Sequence, residues 1–468
     1  MTWFELVPIL YLFISNSLYL ALLVSGFFNS RRTYAEHQLE LVETLGPLRG
    51  LPAVSILVPA YNEEKSIVES VRSMLRIRYP EHEVIVVNDG STDRTLGELI
   101  EAFQLFSCLM SPPRELPCSA IKTVYRSSQF DNLVVVDKQN GGKSDALNAA
   151  INVSQYPLVC CVDADSIIES DGLISVAMPF FEDMAHTCAV GGVVRVANGS
   201  CVEEGRVKQT GISWNWLAMI QVAEYLRSFL AGRMGWDFFG CNLIISGAFG
   251  LFRRDVVVSV GGYSTKTVGE DFELLLRIRR YCLESEKPYR VRFFSNPVCW
   301  TETPKDLISL GNQRARWAQG LAETLWTHKR LLFRRSSGFL GWVGLPYLWV
   351  FELLSAPVEF VATVIILGGA IVGSVNSNVV CLFLSSWLLY GWGLTLFALL
   401  IEETTFSRYQ EPLDLAKIIL GSFLEQVGFR QLHTLWRLRG LYRFFRKEKS
   451  WGEIQRAGFH SLSPELLR

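Results

Sequence analysis

The chain has 468 residues, and Lys plus Arg (45) almost balances Asp plus Glu (46) for a formal net charge of -1. That balance argues against a general nucleic-acid-binding protein, which needs an excess of basic residues. Hydrophobic residues make up 49% of the sequence and charged residues 19%, and the mean hydropathy is +0.22, so the chain is more apolar than an ordinary soluble domain. The apolar excess lies at the two ends, which predicts a membrane protein with a soluble middle.

The first apolar segment lies near the N-terminus. Leu6 to Phe28 carry no charge and are long enough to span a hydrocarbon core of ~30 Å. Glu5 stands where a signal peptide has a basic region, so the segment is not typical of a signal peptide. Arg31 and Arg32 follow, and the positive-inside rule therefore places the N-terminus outside and the following chain in the cytoplasm.

A second apolar region runs from Ser336 to Ile401, where the only charges are Glu352 and Glu359. It predicts one membrane-buried or interfacial helix followed by two membrane spans. These three segments are expected near 339–355, 356–374 and 379–401.

A third apolar segment, 413–432, contains Lys417, Glu425 and Arg430, which are costly in lipid unless they face protein or water. The tail at 435–456 is strongly basic and is therefore expected in the cytoplasm. An outside N-terminus and an inside C-terminus require an odd number of crossings. Two topologies satisfy this: three crossings with the third segment in the interface, or five crossings in which the preceding membrane-buried or interfacial helix also spans.

The middle of the chain, 50–335, alternates short β-branched runs with helical patterns. Continuous apolar strands separated by helices indicate a parallel sheet that is covered on both faces. In such sheets ligands bind beyond the carboxyl ends of the strands. The polar side chains that follow the predicted strands are Asn62, Glu63, Asn88, Asp89, Asp163 and Asp165. The stretch 104–131 fits no element and is expected as a surface excursion.

Two of these polar clusters suggest a nucleotide site. Asp163 and Asp165 follow an apolar run, and a divalent cation that carries a diphosphate would offset the repulsion between them. Hard oxygen ligands of this kind suit Mg²⁺ or Mn²⁺. Asp89 opens an Asp-Gly-Ser-Thr-Asp run that, taken alone, is more typical of a helix-capping turn. A lone Asp-x-Asp also occurs in many solvated turns.

Two further motifs carry charge at predicted helix starts. In Asn140-Gly-Gly-Lys143 the glycines allow close backbone approach, and the lysine is placed to meet a phosphate, although an ordinary glycine-rich turn is the alternative. Glu270 and Asp271 precede an amphipathic helix, so they either complement its dipole or supply a general base for an acceptor hydroxyl.

A helical pattern that begins near Asp306 contains the motif Gln313-Arg-Ala-Arg-Trp317. Its Gln313, Arg316 and Trp317 fall at i, i+3 and i+4 and therefore share one helix face. An amide, a guanidinium and an indole are together unfavourable in a hydrophobic core, but they can bind a diphosphate and stack on a sugar ring. A helix lying in the membrane interface is the alternative.

Five motifs together resemble those of membrane-integrated family 2 glycosyltransferases, which include the hyaluronan, chitin, cellulose and poly-N-acetylglucosamine synthases. In order and approximate spacing they are Pro59-Ala-Tyr-Asn-Glu63, Asn88-Asp-Gly-Ser91, Asp163-Ala-Asp165, Glu270-Asp271 and Gln313-Arg-Ala-Arg-Trp317. The resemblance covers about residues 50–330. Gly269 replaces the threonine of the usual Thr-Glu-Asp, which leaves the base in place.

The resemblance implies an α/β fold: a GT-A (Rossmann-like) cytosolic glycosyltransferase domain inserted between N-terminal and C-terminal transmembrane helices. The expected domains are an N-terminal transmembrane helix, the GT-A domain, an interfacial helix with the Gln313–Trp317 motif, a transmembrane and interfacial region, and a basic cytosolic tail. Their expected bounds are 1–30, 50–305, 306–335, 336–432 and 433–468.

The resemblance also implies roles for individual residues. Asp271 is the expected catalytic base, and Asp163 and Asp165 are the expected ligands of Mg²⁺ or Mn²⁺. The expected nucleotide-sugar-binding residues are Ala60, Tyr61, Glu63, Asp89, Lys143, Asp163, Gln313 and Arg316. The expected acceptor-binding residues are Ser246, Gly247, Glu270 and Trp317. Trp451-Gly-Glu-Ile-Gln-Arg456 resembles a gating loop over the donor, although the hyaluronan-type pattern has Thr-Arg directly after Trp-Gly.

The implied reaction is inverting, metal-dependent transfer from a UDP-sugar to the end of a growing β-linked glycan, processive and coupled to export across the membrane. The alternative is transfer of a single sugar to a lipid-linked acceptor. The implied location is the plasma (inner) membrane with a cytoplasmic catalytic domain. The implied partners are the UDP-sugar, a glycan or lipid-linked acceptor, the lipid bilayer and accessory export subunits, with no nucleic acid. An inactive glycan-binding protein fits less well, because Asp89, Asp163, Asp165 and Asp271 are all present.

Overall fold

The computed structural model describes residues 3–44, 50–109, 113–203 and 205–448. The chain divides into two compact units. Of the described residues, the helical unit takes in those up to Arg31, Ile212–Leu243 and 304–448, and the α/β unit takes in those within Arg32–Gly211 and Ile244–Thr303. This division assigns Ile212–Leu243 to the helices, whereas the sequence places it within a 50–305 domain. The five domain bounds given above remain predictions.

A ten-stranded mixed sheet forms the centre of the α/β unit, in the order β3-β4-β5-β2-β1-β6-β11-β8-β12-β7, and β9 pairs with β10 separately. The strands of the described chain are β1 Val54–Ala60, β2 His82–Asn88, β3 Leu105–Cys108, β4 Ile121–Ser127, β5 Leu133–Lys138, β6 Leu158–Cys161, β7 Ser166–Ile168, β8 Thr187–Val196, β9 Cys201–Glu203, β10 Arg206–Gln209, β11 Gly250–Arg253 and β12 Arg290–Thr301.

The predicted parallel strands form the middle of this sheet. β1 pairs in parallel with β2 and β6, and β2 pairs in parallel with β5. Their apolar side chains are buried on both faces, which is why these strands read as continuous hydrophobic runs. The unassigned stretch 104–131 contains β3 and β4, which add an antiparallel edge to β5.

Helices cover the sheet of the α/β unit, and the helix at Lys143–Val153 packs against β1 and β2. The buried side chains of Leu57, Val136, Ala150 and Leu274 belong to one core cluster. The helices of this unit are Ile67–Leu75, Thr95–Phe103, Lys143–Val153, Gly172–Glu182, Arg254–Ser259 and Glu270–Glu284.

Among the described residues of the helical unit, three helices are long and apolar enough to cross a membrane: Leu6–Ser30, Leu340–Ile371 and Ser377–Thr405. The first lies within the longer helix Trp3–Thr44. The other helical segments of this unit are Trp216–Tyr225, Leu226–Gly232, Arg233–Phe238, Leu307–Thr327, Lys329–Leu331, Arg335–Ser337, Pro412–Leu424, Glu425–Phe429 and Arg430–Arg446. Leu12, Ile366 and Phe383, one from each long helix, share a buried cluster.

Three sequence-predicted membrane segments take a different form in the structure. The segments expected near 339–355 and 356–374 form the single helix Leu340–Ile371, which contains Pro357. The segment expected near 413–432 breaks at Gly428, whose φ of 84° lies in the left-handed region that favours glycine.

The charges of that third segment are all paired within the helical unit. Lys417 lies 3.1 Å from Asp414, and its Nζ also donates to the carbonyl of Ile212. The remaining pairs are Glu425 with Arg227 at 2.5 Å and Arg430 with Glu359 at 2.8 Å. These partners meet the condition on which such charges are tolerated in an apolar segment.

Candidate active site

A compact ionic cluster lies in the α/β unit beyond the end of β6. Lys143, the first residue of its helix, places Nζ 2.5 Å from Asp163 Oδ1 and 3.5 Å from Glu270 Oε1. Gly142 precedes the lysine with a φ of 87°, a conformation that side chains other than glycine rarely adopt. Three sequence-predicted residues from separate parts of the chain therefore meet at one point.

Asp271 is tied to this cluster through a glycine. The backbone N–H of Gly247 donates to Asp271 Oδ2 at 3.0 Å. A Cβ atom added at Gly247 would lie 3.1 Å from Lys143 Nζ and 3.5 Å from Asp271 Oδ2, so the missing side chain allows both charged groups to approach. Ser246 neighbours Gly247 in the predicted acceptor loop, and the Cys161 thiol donates to the Gly247 carbonyl at 3.1 Å.

The charge of the cluster is unbalanced. Among the described residues that make these contacts, Asp163, Glu270 and Asp271 supply three carboxylates and Lys143 supplies one ammonium. Burial alone would lower the pKa of Lys143, but Asp163 and Glu270 raise it above its ordinary value, so the lysine is charged. The surplus negative charge favours binding of a further cation.

Asp163 and Asp165 are the two carboxylates that would hold the implied metal ion. Asp163 retains 29% side-chain exposure, whereas Asp165 is buried. Among the described residues no group of three or more His, Cys, Asp or Glu side chains is arranged to hold a metal. Two carboxylates and a net negative charge fit a divalent cation whose remaining ligands come from a bound diphosphate and water.

Asp89 lies at a separate, buried point behind the Asn140–Gly142 loop. Its carboxylate accepts hydrogen bonds from Gly141 N at 3.0 Å and from Gly142 N at 2.7 Å, and it pairs with Lys138. Lys138 is fully buried and also contacts Asp145 Oδ1 at 2.5 Å. Asp89 therefore holds the loop that leads into Lys143. Lys138 was missed by the sequence analysis, although a lysine that ends an otherwise apolar strand was a usable signal.

Ala60, Tyr61 and Glu63 follow β1. Ala60 is buried and its carbonyl accepts from Asp89 N at 2.9 Å, while Tyr61 is 49% exposed. The Glu63 carboxylate accepts from Ser66 Oγ at 2.9 Å at the start of the following helix. Of these three side chains, Tyr61 is the one that is accessible to a ligand.

The Gln313–Trp317 motif lies on a helix of the helical unit, Leu307–Thr327, as predicted. Asp306 caps this helix by accepting from Ile308 N at 3.0 Å and Ser309 N at 2.8 Å. Three residues of the motif are half-buried: Gln313, Arg316 and Trp317.

A member of the same motif was missed by the sequence analysis. Arg314 is almost completely buried and pairs with Glu224 at 2.7 Å. The two residues are 90 positions apart, and no pattern in the sequence predicts that they pair. The predicted gating residues Trp451 and Arg456 lie outside the described residues.

Residues 158–400, more than half of the chain, match the family model described as glycosyl transferase family group 2, and residues 55–258 match glycosyl transferase family 2. The chain belongs to this group of glycosyltransferases, and its α/β unit has the GT-A type of fold with apolar helices on both sides in the sequence.

Among curated proteins the chain is similar to poly-beta-1,6-N-acetyl-D-glucosamine synthases. It is 29% identical over 281 residues to that of Staphylococcus aureus strain COL, covering 59% of this chain and 56% of the relative. For the Staphylococcus epidermidis protein the identity is 28% over 277 residues, covering 58% and 55%. The match thus spans little more than half the length of these relatives.

Among solved structures the chain resembles a mannosyltransferase from Pyrobaculum calidifontis in complex with GDP-Man and Mn²⁺. The identity is 17%, the coverage is 93% of this chain and 100% of that chain, and the TM-score is 0.49.

Proposed function

We propose that this protein transfers a sugar from a UDP-sugar to the end of a growing β-linked glycan, with UDP-N-acetylglucosamine as the donor. The observation that carries the proposal is the meeting of Lys143, Asp163, Glu270 and Asp271 at one point, with Gly247 between them. The similarity to poly-beta-1,6-N-acetyl-D-glucosamine synthases supports the choice of sugar.

In the proposed reaction, an acceptor hydroxyl attacks the sugar's anomeric carbon from the face opposite the diphosphate. Asp271 takes the hydroxyl proton as the new C–O bond forms, and the bond between the anomeric carbon and the diphosphate oxygen breaks to release UDP. A donor with an α linkage therefore gives a β product. The Gly247 N–H restrains the base, since it holds Oδ2 of the carboxylate.

Charge neutralisation of the leaving group is proposed for Lys143. Asp163 and Glu270 hold this ammonium in place before substrate arrives, and preplaced charge of this kind is commonly the largest contribution to catalysis. Asp163 and Asp165 would hold a Mg²⁺ or Mn²⁺ ion, which would supply further positive charge to the diphosphate.

The remaining assignments come from the family resemblance. Gln313 and Arg316 are proposed to bind the diphosphate, and Trp317 is proposed as the platform for the acceptor glycan. The three apolar helices support integration into a membrane, and we propose the plasma membrane with the catalytic unit in the cytoplasm. Processive synthesis with export across that membrane, assisted by accessory subunits, completes the proposal.

The test uses the purified full chain with a panel of radiolabelled UDP-sugars, with products sized by gel electrophoresis. We expect long products from UDP-N-acetylglucosamine and little incorporation from UDP-glucose or UDP-glucuronate. Products that carry one added sugar on a lipid would instead establish the single-transfer alternative. Incorporation of another sugar would overturn the proposed donor, and an absence of transfer from every donor would overturn the proposed activity.

A further inference from the structure

A buried ion pair underlies the predicted acceptor platform in the helical unit. Arg314 has 1% side-chain exposure, and its Nη2 donates to Glu224 Oε2 at 2.7 Å. Glu224 belongs to the helix Trp216–Tyr225, so the pair joins that helix to Leu307–Thr327. Burial raises the pKa of Glu224 and the Arg314 charge opposes that shift, so the guanidinium favours the ionised carboxylate.

The same guanidinium lies on the Trp317 ring. Its central carbon is 4.3 Å from the ring centroid, which is the geometry of a cation–π contact. Trp317 also approaches Phe229, with centroids 5.8 Å apart and planes inclined by 43°. Phe229 in turn contacts the Tyr225 ring at 4.3 Å and the Arg233 guanidinium at 4.5 Å. The indole therefore contacts two groups, Arg314 and Phe229, that are themselves held by further contacts.

This arrangement restricts how Trp317 meets a ligand. An indole that rests on a fixed guanidinium loses the freedom to rotate about its side-chain bonds, so less entropy is lost when a sugar stacks on it. Glu224 restrains the guanidinium in turn through the charge-assisted hydrogen bond from Arg314 Nη2.

We propose that Glu224 and Arg314 are positioning residues that fix the Trp317 indole for the acceptor glycan. This inference rests on the proposed function of Trp317 as the acceptor platform. If the pair served only to join two helices, an apolar pair of similar volume would serve as well, because replacing a buried ion pair by apolar residues is often neutral or stabilising. If it positions the indole, the apolar pair keeps the fold and loses acceptor binding.

The experiment measures transfer from UDP-N-acetylglucosamine to a defined β-linked glycan oligosaccharide by the detergent-purified full chain. Each variant yields three numbers: the KM for the oligosaccharide, the KM for the UDP-sugar, and the rate of UDP release without oligosaccharide. The variants are Glu224→Gln, Arg314→Lys and the apolar double variant Glu224→Leu/Arg314→Met. Arg446→Lys, an exposed arginine of the helix Arg430–Arg446, is the matched control.

We expect the apolar double variant to raise the oligosaccharide KM about 5- to 30-fold, the factor expected from loss of one desolvated cation–π contact, and the two single variants to raise it by less. The KM for the UDP-sugar and acceptor-independent UDP release should stay at wild-type values, as should all three numbers in Arg446→Lys. The apolar double variant should retain the wild-type melting temperature and still show the raised oligosaccharide KM. A folded double variant with a wild-type oligosaccharide KM overturns the positioning role.

The variant Trp317→Ala distinguishes the positioning role of Glu224 and Arg314 from the proposed role of Trp317 as the acceptor platform. If Trp317→Ala raises the oligosaccharide KM and the double variant does not, the positioning role is wrong and the platform stands. If Trp317→Ala leaves the oligosaccharide KM unchanged, the acceptor platform itself is wrong, and the positioning role is overturned with it.

Discussion

The charge cluster around Lys143 in the α/β unit differs from the ion pairs of the helical unit. In the α/β unit, Lys143 is surrounded by an excess of carboxylates from Asp163, Glu270 and Asp271. In the helical unit, four acidic–basic pairs are mostly buried among the described residues. Those pairs are Arg227–Glu425, Arg430–Glu359, Lys417–Asp414 and Arg314–Glu224.

This difference distinguishes a binding site, whose charge is balanced only when a ligand binds, from ion pairs whose charges already balance. Like charges held close together raise the free energy of the folded protein unless a counter-charge arrives, so an excess of one sign marks a place for a cation or a cation-bound diphosphate. Matched pairs need no ligand, and removal of one partner should affect folding before it affects chemistry. Arg314–Glu224 is the exception, because its guanidinium also lies on the Trp317 ring.

The largest effect is expected from Asp271→Asn. The amide keeps the shape of the side chain but does not take up the acceptor proton, and removal of a general base typically costs about 10²–10⁴-fold in rate. UDP affinity, measured by calorimetry, should change little, because the proposed contact of Asp271 is with the acceptor.

Asp255→Asn is the matched control for that variant. Asp255 lies on the helix Arg254–Ser259 of the same unit, where its side chain is 66% exposed, so wild-type turnover is expected. Wild-type turnover by Asp271→Asn would remove the assignment of the base.

Breaking one matched pair should act on stability. Arg430→Met leaves the Glu359 carboxylate mostly buried without its guanidinium, and breaking a buried pair in this way costs about 3–5 kcal/mol of unfolding free energy. Thermal inactivation in detergent measures the loss. The double variant Arg430→Met/Glu359→Leu should recover most of it, because both charges are then gone.

The exposed Arg446 on the same helix supplies the comparison for Arg430. Its replacement by Met should change the unfolding free energy by no more than about 0.5 kcal/mol. Equal instability of the single and double Arg430 variants would show that the pair contributes nothing beyond packing.

Asp165→Asn tests whether a divalent metal ion supports UDP binding at the unbalanced cluster. We expect UDP affinity in the presence of Mn²⁺ to fall about 10–100-fold, the range seen when groups that support a metal site are removed. Chelation of divalent ions should weaken UDP binding to the wild type and have no further effect on the variant. Equal UDP affinity of the wild type with and without Mn²⁺ would contradict the metal assignment.

The central strands were predictable because their pattern is local. β1, β2, β5 and β6 are buried on both faces, so each appears in the sequence as an uninterrupted apolar run. Strand β4, which lies between β3 and β5, is half-exposed and alternates less regularly, so its sequence does not predict a strand.

The motif residues were predictable because of their resemblance to a family, whereas their supports were not. Lys143, Asp163 and Glu270 were named from the sequence and are joined in the structure. Lys138 and Arg314 were missed because a lysine or an arginine reads as a surface residue unless its buried partner is known. Those partners lie 49 and 90 positions away in the chain.

The smallest effect is expected at Cys161, a neutral neighbour of the unbalanced cluster. Burial raises the pKa of this thiol to about 12, with Lys143 opposing the shift and Asp163 and Glu270 adding to it. A pKa above the working pH keeps the protonated form, so the reactive thiolate amounts to about 0.1% even at pH 9. N-ethylmaleimide at pH 8 should therefore leave Cys161 unlabelled by peptide mass spectrometry, while the less buried Cys108 of the same unit is modified. Cys161→Ala should alter turnover less than about threefold, since only the weak hydrogen bonds of a thiol, to Gly247 and with Tyr263, are lost. If the reagent inactivates the protein, and both UDP and the substitution Cys161→Ala prevent that inactivation, the thiol ionises within the cluster. The cluster would then contain one more negative group than the three carboxylates from which a bound cation is inferred.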